Sequence, residues 1–100
     1  MTAYLISNFD ITNNEGYQTY VAAVVPTLLS HGGEILVAGP GSEIIEGAAG
    51  AETAVLKFPS MEALRGWYES PEYQEIIARR TENTEGSVVI ANEFAIPGSR

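Results

Sequence analysis

A chain of 100 residues has room for one hydrophobic core, and a hydrophobic content of 45% marks a folded domain, since disordered segments are far less apolar. Five lysines and arginines against thirteen acids leave a net charge of −8, the wrong sign for holding nucleic acid or an anionic membrane surface through phosphate contacts. Without cysteine there can be no disulfide, thiolate metal site or cysteine nucleophile; one histidine forms no imidazole cluster, and no apolar run approaches the ~18 residues of a membrane span.

Met1 to Ser7 has neither the basic stretch nor the long apolar stretch of a secretory signal, so a cytoplasmic location is expected. Residues 3–9, rich in β-formers, predict a strand. Asn13 can cap a helix over 14–31, whose buried stripe is Tyr17, Tyr20, Val21, Val24, Leu28 and His31; Pro26 removes one hydrogen bond within it and should kink it, and Gly32-Gly33 ends it. Residues 34–38 predict a second strand, and residues 39–50 a loop holding a minor strand at 43–46. A third strand is expected over 52–58. Ser60 then caps a helix with Leu64, Trp67 and Tyr68 on its apolar face.

Ser70-Pro71-Glu72 is a second helix start: a capping hydroxyl, a proline where no N–H is needed, and a carboxylate at the positive end of the dipole. The stripe Tyr73, Ile76, Ile77, Arg80 continues to the turn at 83–86, and residues 87–94 predict the last strand before a Pro-Gly-Ser-Arg tail. The order of elements is that of an α+β, ferredoxin-like βαββαβ unit: one domain over residues 1–100, with an antiparallel sheet and both helices on one face. The opposite face would then be bare, yet both alternating sets of the first and last strands contain apolar residues, Tyr4 and Ile6 against Leu5 and Phe9, Val88 and Ile90 against Val89 and Ala91. A second copy packed sheet on sheet is the economical cover, so a homodimer is expected, and a small-molecule ligand could sit in its cavity or between helices and sheet.

Tyr4-Leu5-Ile6, Tyr17-x-x-Tyr20, His31-Gly32-Gly33, Phe58-Pro59-Ser60-Met61-Glu62-Ala63 and Trp67-Tyr68-x-Ser70-Pro71-Glu72-Tyr73-Gln74 occur in order along nearly the whole chain. Together they resemble the domain-of-unknown-function 1330 family, small bacterial proteins of the dimeric α/β-barrel superfamily. The resemblance implies a homodimeric barrel and no established activity, while superfamily relatives include cofactor-free monooxygenases, dismutases, isomerases and dehalogenating enzymes. At Asn13-Asn14 the chain departs from the Asp-Pro helix start usual in the family, which touches only the first turn.

His31 is the side chain whose ordinary titration lies nearest neutrality, which makes it a candidate acid/base; its ordinary alternative is to bond the terminal carbonyls of its helix. Arg79 follows Glu75 by four residues, the spacing of an exposed pair. Arg80 instead starts on the apolar face and needs a carboxylate, a phosphate or a carbonyl, so it could anchor an anionic substrate or pair with a glutamate. The resemblance adds that family members often carry arginine there. Trp67 and Tyr68 suit core or interface packing before ligand binding, and Tyr4 and Asn8, on one face of the first strand, could point into a dimer cavity. Gly39-x-Gly41 lacks the context of a phosphate loop, and Glu43, Glu46 and Glu52 lack that of a calcium loop, so neither cofactor nor metal is expected. Three functions compete: a small-molecule-binding module, a cofactor-independent enzyme (monooxygenase, isomerase or dehalogenase-like) using His31 and Arg80, and an interaction protein using its acidic exterior.

Overall fold

In the computed structural model, which describes residues 1–95 and 97, strand β1 (Ala3–Ile11) lies between β3 (Glu52–Phe58) and β4 (Thr84–Asn92), and β2 (Glu34–Val37) forms the far edge beside β3. All pairings are antiparallel and the order β2-β3-β1-β4 is ferredoxin-like. Helices α1 (Asn14–Leu29), α2 (Met61–Tyr68), α3 (Pro71–Gln74) and α4 (Ala78–Thr81) complete an α+β fold. Along β1 burial alternates: Ala3, Leu5, Ser7 and Phe9 are buried, whereas Tyr4, Ile6 and Asn8 are not. The buried set meets Leu28, Leu64, Trp67, Tyr73 and Ile76 from the helices, and that layer is the core.

The caps act where expected. Asn13 accepts from the Gly16 N–H, Ser60 from Ala63, and Ser70 from Tyr73 while donating to the Trp67 carbonyl, which is how one helix ends and the next begins within three residues. α1 continues through Pro26, since Ala22 and Pro26 lie on its exposed side, where water can reach the carbonyl left without a partner. The helix ends at Leu29, two residues before the expected limit. Gly32, at φ 76°, lets Gly33 and Gly32 donate back to the Leu28 and Leu29 carbonyls.

Other boundaries also shift. No strand forms at 43–46: Ile44 and Ile45 remain exposed, and beyond the isolated Pro40–Glu52 pairing the loop joins no strand. β2 stops at Val37 after an irregularity in register, and residues 75–77 form a turn between α3 and α4. β4 spans 84–92 in place of 87–94, and β1 extends to Ile11, because the two strands pair from Ile11↔Thr84 onward and Thr12 and Asn13 donate to the Asn83 carbonyl. Gly86 permits this: a side chain there would run into the Asn8 carbonyl and Phe9. Phe94 lies exposed beyond the strand, and the Pro-Gly-Ser-Arg tail, Pro97 apart, lies outside the described residues.

Among the described residues, none forms a layer over one face of the sheet. Ile6 is 39% exposed and Val89 53%, neighbours on adjacent strands that share this face with Tyr4, Val55 and Ala91. The shape agrees: the thinnest extent is 15 Å and the radius of gyration is 14.3 Å, against about 13 Å for a compact chain of this length. Among the described residues no helix is long and apolar enough to cross a membrane.

Candidate functional site

Ser7 on β1 faces Ala54 on β3 and Val88 on β4 across the ladder, so three modest side chains stand side by side at the centre of the helix-facing surface. Small side chains at one level leave α1 unable to fill the space above them. The result is a cavity of about 120 Å³ between α1 and the sheet, walled mainly by apolar groups including Leu5, Val24, Leu28 and Trp67. Val21, Val25 and Ile35, each more than a third exposed, form its outer rim.

The opposite end is polar. Tyr20 and Tyr73, 8% and 1% exposed, bring their hydroxyls to 2.9 Å, and the Arg80 Nε–H donates to the Tyr73 oxygen at 3.3 Å. Tyr17, Tyr20, Tyr73 and Arg80 all line the cavity. Two phenols carry two protons and one serves their mutual bond, so whichever hydroxyl donates, one O–H is left over. Burial, reinforced by the neighbouring Tyr73, pushes Tyr20 well above the ordinary phenol value, and burial followed by the Glu52 charge raises Tyr17. Tyr17 and Tyr20 therefore hold their protons at neutral pH.

Arg80 is half-buried and meets no carboxylate among the described residues. Burial opposes its charge, but the oxygens of Tyr73, Tyr20 and Tyr68 outweigh that and raise its pKa, so it stays cationic. Its Nε has a partner; its terminal N–H groups have none among the described residues. Arg80 also borders an outer hollow of about 140 Å³ with Phe9, Thr84 and Gly86, and so stands between cavity and solvent. One end of the cavity thus offers a fixed positive charge and a spare phenol proton, a donor set that complements an anion.

The other candidates sit elsewhere. His31 lies past the end of α1 with Nδ1 3.1 Å from the Thr27 carbonyl, to which its N–H donates, and it does not line the cavity. The structure therefore does not bring His31 and Arg80 together. Asn8, on the open face, is engaged by the end of the 39–50 loop: it accepts from Gly50 N–H at 2.7 Å and donates toward Gly50, Glu52 and Thr53. Tyr4 shares that face between Lys57 and Ala91. Trp67 is fully buried, donates to Thr27 Oγ1 at 2.9 Å, and contributes a wall.

Tyr68 borders a separate groove of about 530 Å³ between α2, α3 and β4. That groove is larger but open, rimmed by exposed Arg65, Glu69 and Gln74, with no buried charge to orient a guest. Arg79 donates to the Thr19 carbonyl at 3.3 Å in place of a bond to Glu75. Sequence reasoning placed Tyr17, Tyr20 and Tyr73 on buried stripes without making them site candidates, and left out Ser7. The available signal was polar tips on stripes that also carry a cation.

A model of a family described as a domain of unknown function, DUF1330, matches residues 2–94. No curated protein matches the chain. A protein of unknown function from Rhodopseudomonas palustris superposes with a TM-score of 0.78 at 14% identity, over 95% of this chain and 84% of that one. A dimeric ferredoxin-like protein of unknown function from Jannaschia sp. CCS1 gives 0.75 at 12% identity, over 95% and 100%. SnoaB, a cofactor-independent oxygenase from Streptomyces nogalater, gives 0.68 at 7% identity, over 98% of each chain. At such identities these likenesses establish the fold.

Proposed function

The chain belongs to the DUF1330 family, and from that premise we propose that it is a homodimeric binding module in which each protomer holds a small organic acid between α1 and the sheet. The observation that carries this reading is Arg80, a half-buried cation with no carboxylate partner among the described residues, placed at the donor-rich end of an apolar cavity. The carboxylate meets the guanidinium and the spare phenol proton, and the apolar body lies against Leu5, Val24 and Trp67. Dimer formation covers the open face with a second sheet and closes the barrel, which the exposure of Ile6 and Val89 supports, as does the dimeric neighbour from Jannaschia. In the competing reading, a cofactor-independent enzyme, His31 is the acid/base and Arg80 the anchor; it needs the two in one pocket, and His31 instead stands at the end of α1.

Trp67 is the sole tryptophan and forms a cavity wall, so its emission reports occupancy. Short aliphatic carboxylates are expected to change that emission saturably while the matching neutral amides do not; no change with the acids, or an equal change with the amides, contradicts the reading. Sedimentation equilibrium is expected to return twice the 10.7 kDa chain mass. A folded species of single-chain mass removes the homodimer from it.

A further inference from the structure

Ser7 occupies an anomalous place. It faces the helices from the central strand, between the buried Leu5 and Phe9, is 5% exposed, and lines the cavity. No described residue hydrogen-bonds its hydroxyl, which opens onto the cavity space. The oxygen is accessible from the cavity, where water or a guest can bond it, and alanine would fill this position with nearly the same volume, so packing alone does not call for a hydroxyl here.

Arg80 marks the other polar point. It shares the outer hollow with Phe9, which follows Ser7 by two residues on β1, a rise of about 6.8 Å at ~3.4 Å per residue, and its Nε bonds the Tyr73 oxygen. Ser7 and Arg80 both line the cavity, and most of its other lining residues are apolar. A volume of about 120 Å³ equals roughly four waters at ~30 Å³ each, which limits the guest to a short chain.

We propose that the site selects a short hydroxy- or keto-acid whose second oxygen lies several carbons from its carboxylate, with Ser7 as the specificity-determining residue that bonds this oxygen. The proposal rests on the acid-binding reading above. The second oxygen accepts from the Ser7 O–H if it is a ketone, and either donates or accepts if it is a hydroxyl.

The test compares 4-oxopentanoate, 2-oxopentanoate and pentanoate on the intact protein and on Ser7→Ala, read by Trp67 emission and by calorimetry. Intact protein is expected to bind 4-oxopentanoate about fivefold to tenfold more tightly than pentanoate, the advantage typical of one hydrogen bond. Ser7→Ala is expected to bind both equally. Equal binding of the three acids by intact protein overturns the role of Ser7, as does a stronger preference for 2-oxopentanoate or a 4-oxo advantage that survives in Ser7→Ala. If no acid binds, the acid-binding reading itself fails and this inference fails with it. Should Ser7→Ala not fold, Ser7→Cys, with a poorer donor of similar size, is expected to reduce the 4-oxo preference, and an undiminished preference overturns the proposal.

Discussion

Arg80→Met is expected to weaken binding of short organic acids by about tenfold to a hundredfold while shifting stability by less than about 1 kcal/mol. The first figure is the worth of a hydrogen bond to a charged group, about 1.5–3 kcal/mol. The second follows from the absence of a carboxylate partner. Removing one half of a buried ion pair costs about 3–5 kcal/mol because the other half is left uncompensated, but here the group left behind is the Tyr73 hydroxyl, which keeps its bond to Tyr20 at 2.9 Å. Methionine also keeps the length and apolar stem that pack beside Phe9. Acid titrations and urea denaturation on the same variant separate the two effects. A variant that unfolds easily while binding acids as the intact protein does would make Arg80 a structural residue.

Trp67→Ala is expected to be the most damaging single substitution in the chain, at about 3–5 kcal/mol, against the ~5–15 kcal/mol total of a small domain. Trp67 has no exposed surface, and its ring centroid lies 4.1 Å from that of Tyr73 and 5.4 Å from that of Phe58, so it couples α2 to α3 and to the sheet. Its indole N–H also ties α2 to Thr27 on α1. Removing it leaves a large void beside an existing cavity, and four elements lose a common contact. Far-ultraviolet circular dichroism against urea is the suitable probe, since the only tryptophan is gone. A loss below about 1 kcal/mol would mean that the helices hold the sheet by other contacts.

The frame of the molecule was legible because its signals are local. Asn13, Ser60 and Ser70 are caps that act within three residues of themselves, whereas the first strand carries apolar groups on both faces and only the packed helices show that Leu5, Ser7 and Phe9 point inward. What was not legible depends on partners distant in sequence. Thr84-Glu85-Gly86 has the composition of a turn, and only the pairing of Ile11 with Thr84 makes it strand. Glu43-Ile44-Ile45-Glu46 has the composition of a strand, yet it pairs with no strand and stays a loop.

The site divides in the same way. Arg80 stood out because a guanidinium on an apolar stripe is anomalous wherever the stripe leads. Tyr20 and Tyr73 did not stand out, since tyrosines on buried stripes are ordinary; their importance comes from hydroxyls that meet across 53 positions of sequence. His31 stood out on chemistry, but the glycine closure after Leu29 turns it toward its own helix.

The most direct test of the account is a nuclear magnetic resonance titration that follows the arginine Nε–H and tryptophan indole N–H signals while 4-oxopentanoate is added. An acid held between α1 and the sheet shifts the Arg80 and Trp67 signals together and saturates, leaving those of Arg65 and Arg79, which lie exposed, in place. Equal, unsaturating shifts at every arginine, or no shift at Arg80, would show that the anion only screens the surface and that the cavity is not its site.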